Sequence, residues 1–135
     1  MVLFGQEHVQ RYVDTDGEEG HEWQEGTTVL ILTTTGRRSG EPRSTPLIYG
    51  RDGDRYLVVA SKGGADDPPA WYRNLEEHPE VEVQVKGDRF KARARTASDD
   101  EKPELWRIMT SEWPHYDEYQ EKTERQIPVV VLERE

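Results

Sequence analysis

Thr33 through Arg43 gathers three arginines, three threonines, a serine and two glycines into eleven residues of a chain whose formal charge is −10. Guanidinium forks, hydroxyls and unobstructed backbone N–H groups together suit a phosphate or a carboxylate. Adjacent Arg37 and Arg38 repel one another unless an anion lies near them, and Gly36 and Gly40 let the backbone approach a ligand closely. The same residues also fit a solvated turn whose arginines pair with an acidic surface. Charge distribution adds to the first reading. Residues 36–51 hold Arg37, Arg38, Arg43 and Arg51 against Glu41 alone, whereas residues 1–26 hold Arg11 against seven acids. A cationic island on an acidic body fits a small anionic ligand better than a polymer.

Three further clusters carry chemistry. Ala60-Ser61-Lys62-Gly63-Gly64 runs a strand end into glycines, offering a hydroxyl, a cation and open N–H groups, or simply a flexible loop. In Trp71-Tyr72-Arg73-Asn74, Trp71 and Asn74 are three apart and share a helical face. Tryptophan there is commonly core, but a buried amide beside it needs partners. Trp113-Pro114-His115-Tyr116-Asp117-Glu118-Tyr119 follows Trp106, and Tyr116 and Tyr119 share a face. They either line an apolar pocket and offer phenolic protons or cap the core as packing residues.

The elements that must position these clusters are legible from periodicity and turn chemistry. Residues 3–14 read as a helix with Phe4, Val9, Tyr12 and Val13 on its apolar side, ended by an acidic loop at 14–20. Strands follow at 28–35 and 43–51. Asp52-Gly53 makes a hairpin turn, and the next strand is 56–61. Residues 62–69 form a breaker-rich loop, and 69–77 a helix with proline at its start. Val81, Val83 and Val85 alternate with charges, Gly87-Asp88 turns the chain, and Phe90, Ala92 and Ala94 alternate on the return. Ser98 resembles an N-cap followed by acids. Helix runs from there to about Glu112, breaks at Pro114 and resumes over 116–124. A strand over 128–133 closes the chain. Six strands joined mostly by tight turns predict an antiparallel sheet closing on itself with helices packed outside. Strands and helices do not alternate, and neither GxGxxG nor GxxxxGK[ST] occurs, so a doubly wound nucleotide fold is disfavoured.

Composition sets the outer bounds. At 135 residues the expectation is one domain over 1–135, with 1–26 as N-terminal helix and acidic loop and 27–135 as the barrel. Hydrophobic residues at 33% and charged residues at 34% would be compatible with disorder, but the apolar residues cluster into β-rich runs. The net negative charge argues against nucleic acid or an anionic membrane as main partner. Cysteine is absent, which removes disulfides and thiolate chemistry, and His8, His21, His78 and His115 lack metal-ligand spacing, so no metal site is expected. With no signal peptide or spanning run, the expected location is the cytoplasm.

Taken together, four segments resemble the deazaflavin-dependent nitroreductase family, whose members use coenzyme F420. They are 32–43, 60–65, 69–75 and 127–132, and they occur in family order across residues 29–133. The resemblance implies a split β-barrel of the flavin-reductase type and a set of cofactor contacts. Arg37, Arg38, Ser39 and Arg43 would grip the cofactor phosphate and its anionic tail. Ser44, Thr45, Pro46, Leu47 and Ile48 would run along the ring system, and Val59, Ala60, Ser61 and Lys62 would contact the deazaflavin. Ala70, Trp71 and Asn74 would hold its side-chain or phosphate region. Tyr116 would lie near the reactive ring with Tyr119 close by.

The chemistry so implied is hydride transfer from reduced F420 to a nitroaromatic, a quinone or a conjugated enone or lactone. Tyr116, Tyr119 or Ser61 would polarise the acceptor oxygen and supply a proton, Tyr116 first among them. Two rivals stand beside this reading: an FMN-dependent enzyme of the same barrel, and a non-catalytic F420 carrier. The expected partner is a small-molecule electron acceptor, and the expected state a monomer or homodimer. The acidic N-terminal segment, unlike the longer apolar one of some relatives, gives no reason to expect membrane association, and could fold over the acceptor side.

Overall fold

The computed structural model describes residues 3–135, and Met1 and Val2 lie outside the described residues. Four helices, α1 (Gly5–Asp14), α2 (Ala70–Glu77), α3 (Lys102–Glu112) and α4 (His115–Glu121), accompany seven strands among these residues. The strands are β1 (Val29–Thr35), β2 (Pro42–Ile48), β3 (Gly50–Asp52), β4 (Arg55–Val59), β5 (Glu80–Val85), β6 (Asp88–Thr96) and β7 (Val129–Arg134). They form one antiparallel sheet in the order β2-β1-β5-β6-β7-β4-β3.

The antiparallel expectation holds, but the count of six strands is corrected to seven. The single strand expected over 43–51 is broken at Tyr49. Its first part, β2, pairs with β1 at one edge of the sheet, and its second part, β3, pairs with β4 at the other. One residue therefore joins the two edges, which requires the sheet to curl until they meet. Tyr49 secures the bend: its N–H donates to the Thr28 carbonyl at 3.1 Å, and its buried hydroxyl meets His21 Nε2 at 2.9 Å. Periodicity missed the break because a single residue, Tyr49, separates the two strands.

Apolar runs without alternation are explained by burial on both faces. Leu30 and Leu32 of β1 enter the central core with Tyr56 and Val58 of β4, Val81 and Val83 of β5, and Val130 and Leu132 of β7. On the other face, Val29 and Ile31 pack against Val9 and Tyr12 of α1. Leu57, Val59, Val129 and Val131 likewise face outward against Leu105 and Met109 of α3 and Trp113 and Tyr116 beyond it. So α1, α3 and α4 cover the outside of the curled sheet, as expected. Helix α2 differs, because Tyr72 and Leu75 join the central core itself.

Local capping follows the sequence. The Ser98 hydroxyl accepts from the Glu101 N–H at 3.4 Å, and the Glu101 carboxylate accepts from the Ser98 N–H at 3.2 Å. This reciprocal pair closes the turn that leads into α3 at Lys102. The α1 helix buries His8, Val9 and Tyr12, while Phe4, expected on its apolar side, is 63% exposed. No helix among the described residues is long and apolar enough to cross a membrane.

Candidate active site

The predicted anion cradle is the connection between β1 and β2. Its turn is closed by Gly36 N–H to the Glu41 carbonyl and Gly40 N–H to the Gly36 carbonyl, both at 2.8 Å. Ser39 Oγ accepts from the Glu41 N–H at 3.1 Å, which leaves its hydroxyl proton available to a ligand. Arg37, Arg38 and Arg43 make no ion pair among the described residues, whereas Arg11, Arg55, Arg89, Arg95 and Arg134 all do. The tip of the hairpin is therefore a set of uncommitted cations, and the solvated turn paired with acidic surface is not what forms.

A cleft of about 420 Å³ opens beside this hairpin, lined by Arg37, Arg38, Ser39, Arg43, Ser44 and Thr45 from the strands and by Ala70, Trp71 and Asn74 from α2. Asn74 is 5% exposed and commits its amide within the protein. Its Oδ1 accepts from the Arg37 N–H at 3.1 Å, and its Nδ2 donates to Thr34 Oγ1 at 3.2 Å. The residue thus staples α2 to the arginine hairpin. It fixes where Arg37 stands.

A second cavity, of about 380 Å³, shares Thr45 and Trp71 with the first, so the two adjoin. Pro46, Leu47 and Ile48 of β2 form one wall, with Val59 of β4 and then Ser61 and Lys62 beside them. Trp113, Tyr116 and Tyr119 form another. Ala60 is the exception among the predicted contacts. It is 0% exposed in the central core and lines neither cavity, because alternation along the strand turns it inward.

The Ser61–Gly64 segment is held under strain. Lys62, Gly63 and Gly64 all adopt positive φ, at 47°, 64° and 88°, and a lysine there is a costly choice. A Cβ on Gly64 would stand 2.7 Å from the Tyr119 carbonyl oxygen, so this turn presses directly on α4. Arg125 secures it further, donating to the Ala60, Ser61 and Ala65 carbonyls at 2.8–3.3 Å. The strand end and the tyrosine helix are thereby one assembly.

Polar atoms in this cavity have defined roles. Trp113 Nε1–H donates to the Tyr119 hydroxyl at 3.3 Å, leaving the phenolic proton of Tyr119 free. Among the described residues, no side-chain nitrogen or oxygen sealed from solvent lacks a hydrogen-bond partner. The Tyr116 and Ser61 hydroxyls have no such partner among the described residues, so neither is sealed from solvent, and both residues line the cavity. Burial pushes the Tyr116 phenol well above its ordinary range, with the neighbouring Tyr119 adding to the effect. Tyr116 therefore keeps its proton at neutral pH and presents a hydrogen-bond donor.

Sequence reasoning missed the remaining wall. Phe4, His8 and Trp23 of the N-terminal segment line the aromatic cavity, and Gln6 reaches the cationic cleft. Trp23 is in edge contact with Phe4 at 5.6 Å and tilts against Trp113 at 5.9 Å. Gln6 Nε2 donates to the Ser44 carbonyl at 3.0 Å and ties α1 across β2. The acidic N-terminal segment thus does fold over one side of the cavity. Its polar face gave the only usable signal, a tryptophan left among acids at Glu22-Trp23-Gln24-Glu25.

Known proteins resemble this chain in sequence and in fold. Residues 4–134 match the family described as F420H(2)-dependent quinone reductase. A Mycobacterium tuberculosis protein named F420H(2)-dependent quinone reductase is 43% identical over 130 residues, covering 94% of this chain and 87% of the relative. A solved structure of an F420-H2 dependent reductase, FDR-A, superposes with a TM-score of 0.73 at 38% identity, over 78% of this chain and 93% of that one. Another, described as a domain-swapped dimer, superposes with a TM-score of 0.76 at 33% identity, over 95% of this chain and 96% of that one. A cationic cleft adjoining an aromatic, tyrosine-bearing cavity agrees with these matches, which span nearly the whole chain and place it plainly: it belongs to the F420H2-dependent quinone reductase family of oxidoreductases.

Proposed function

We propose that this chain reduces quinones with reduced coenzyme F420. The observation that carries the reading is that the two cavities adjoin at Thr45 and Trp71, one lined by three arginines without an ion pair among the described residues and the other by aromatic side chains. A ligand with an anionic tail and a flat ring system matches both ends at once. F420 fits that donor set, and when bound it supplies a hydride at its central ring.

The residues divide the work accordingly. Arg37, Arg38 and Arg43, with the Ser39 hydroxyl, hold the phosphate and the carboxylates of the tail. Asn74 fixes the hairpin that carries Arg37. Thr45, Pro46, Leu47 and Ile48 flank the ring system, and the Val59–Lys62 strand end meets its edge. Trp71 stands at the junction between tail and ring. Tyr116 donates a hydrogen bond to the acceptor oxygen on which charge develops, with Tyr119 and the Ser61 hydroxyl beside it. Trp23, Trp113 and Phe4 exclude water from the acceptor side. A flat quinone suits these aromatic walls; nitroaromatics and conjugated enones share its planarity and its electron-poor conjugated system.

Fluorescence titration with F420 and with FMN, followed by loss of F420H2 absorbance with menadione, a nitroaromatic and an enone, tests the proposal. Tight F420 binding and turnover led by menadione are expected. Tight FMN binding without F420 binding overturns the cofactor. F420 binding with no acceptor reduced makes the protein a carrier.

A further inference from the structure

We propose that His8 is the proton donor to the acceptor quinone, an inference that rests on the quinone-reductase reading and adds to it a residue from the N-terminal helix. Reducing a quinone to its hydroquinone takes up two electrons and two protons. Hydride delivery accounts for both electrons and one proton, so the site needs one more proton at an acceptor oxygen.

His8 is the imidazole built into the cavity. It is 2% exposed and lines the aromatic pocket together with Tyr116, Tyr119 and Ser61. Its Nε2 lies 2.8 Å from the Gly20 carbonyl oxygen. A carbonyl only accepts, so Nε2 carries a hydrogen whichever charge the ring bears. The active nitrogen is therefore Nδ1. That atom has no hydrogen-bond partner among the described residues, yet no sealed side-chain nitrogen there goes unpartnered, so Nδ1 is open. The opening available to this buried ring is the cavity it lines.

The surroundings hold the ring to one pose. Gly20 has φ 102°, and a Cβ added there would stand 2.9 Å from His8 Cδ2 and 3.0 Å from Nε2. The chain thus closes on the imidazole with backbone alone. Trp23 stacks over the ring at 6.3 Å and 30°.

Chemistry separates His8 from the tyrosines. Burial holds the Tyr116 proton tightly, which suits a hydrogen-bond donor that polarises an oxygen. Imidazole is the side chain that releases and regains protons near neutrality. In the step, the Nδ1–H bond of the imidazolium breaks, an O–H bond forms on the quinone oxygen, and the bonding pair remains on nitrogen. The neutral ring then regains a proton from solvent. Tyr116 on α4 and His8 on α1 come from different walls of this one cavity, so one polarises the acceptor oxygen and the other delivers its proton.

Two measurements test this. In the cofactor-free wild type, menadione should shift the His8 Cε1–H resonance while leaving that of exposed His78 in place. His8→Gln keeps an amide N–H where Nε2 donates to Gly20 but removes Nδ1. It should bind F420 and melt as the wild type does, while menadione turnover falls about tenfold or more. A silent His8 resonance, or undiminished turnover by His8→Gln, overturns the assignment. The resonance decides alone if the variant does not fold. Failure of the wild type to oxidise F420H2 with menadione would instead overturn the quinone-reductase reading, on which the turnover arm depends.

Discussion

Arg43 and Tyr116 sit in the two halves of one cleft, and their substitutions should have opposite signatures. Arg43 makes no ion pair among the described residues and stands on β2 beside the cationic tip. Arg43→Ala should raise the F420 dissociation constant about tenfold, a charge-assisted hydrogen bond's worth, with turnover at saturation nearly unchanged. Tyr116→Phe removes a hydrogen-bond donor without changing the cavity's shape. It should lower kcat about tenfold and leave F420 affinity within about twofold. Fluorescence titration and steady-state kinetics separate the two. Most of these residues were legible in sequence, because arginine, serine and tyrosine advertise their chemistry by type. The burial of Ala60 and the partners of Asn74 were hidden for a different reason. Ala60 turns inward by alternation, and the Asn74 amide is consumed by Arg37 and Thr34, facts that depend on partners far along the chain. His8 was invisible because a lone histidine in an amphipathic helix carries no spacing signal.

At the scale of elements, two charged clasps hold the site's walls, and they titrate in opposite directions. Glu101, at the start of α3, receives a bidentate contact from Arg95 of β6, at 2.8 and 3.2 Å. Arg95 also donates to Glu133 of β7, and Arg55 of β4 approaches Glu101 at 3.7 Å. The Arg95 hydrogen bonds, helped by the Ser98 N–H, bring the Glu101 carboxyl down to about 2 from an ordinary 4.5. A depressed carboxylate stabilises the fold above its unfolded value, and that stability is lost as pH falls from about 4.5 toward about 2. Solvent screens this half-exposed cluster, so Arg95→Ala should cost about 1 kcal/mol at neutral pH and less at pH 3. Urea unfolding at the two pH values measures the difference.

His115 works the other way. Its Nδ1 lies 2.6 Å from Glu118 and its Nε2 3.2 Å from Glu25, joining α4 to the N-terminal segment beside Trp23. Glu118 first and Glu25 second raise its pKa above 6.5. The clasp is therefore complete below 6.5 and weakens as pH rises through the higher folded value. Near-ultraviolet circular dichroism of the Trp23–Trp113 pair should change with a midpoint above 6.5, and His115→Ala should abolish that transition. Sequence placed α4 nearby but extended it to 124; the helix ends at Glu121, and its contact with Glu25 spans 90 residues. Long-range pairings of this kind have no local signature.

Across the whole molecule, turn chemistry and alternation gave the antiparallel, helix-covered sheet, and the break at Tyr49 supplied the closure that periodicity overlooks. The sheet brings four sequence segments, separated by up to some eighty residues of chain, onto one cleft: the arginine hairpin, the Ser61 turn, α2 and α4. The N-terminal segment then covers the open side with aromatic rings, and its acidity stays on the outer face. The cationic end and the aromatic end are useful only together, since one anchors a tail and the other receives a ring and its acceptor. Oxidation of F420H2 by menadione, followed at the reduced-cofactor absorbance with and without the protein, tests that joint use most directly. The account predicts protein-dependent oxidation that saturates in both cofactor and quinone and is lost when FMNH2 replaces F420H2. Oxidation no faster than the protein-free rate, with F420 bound or unbound, would contradict it.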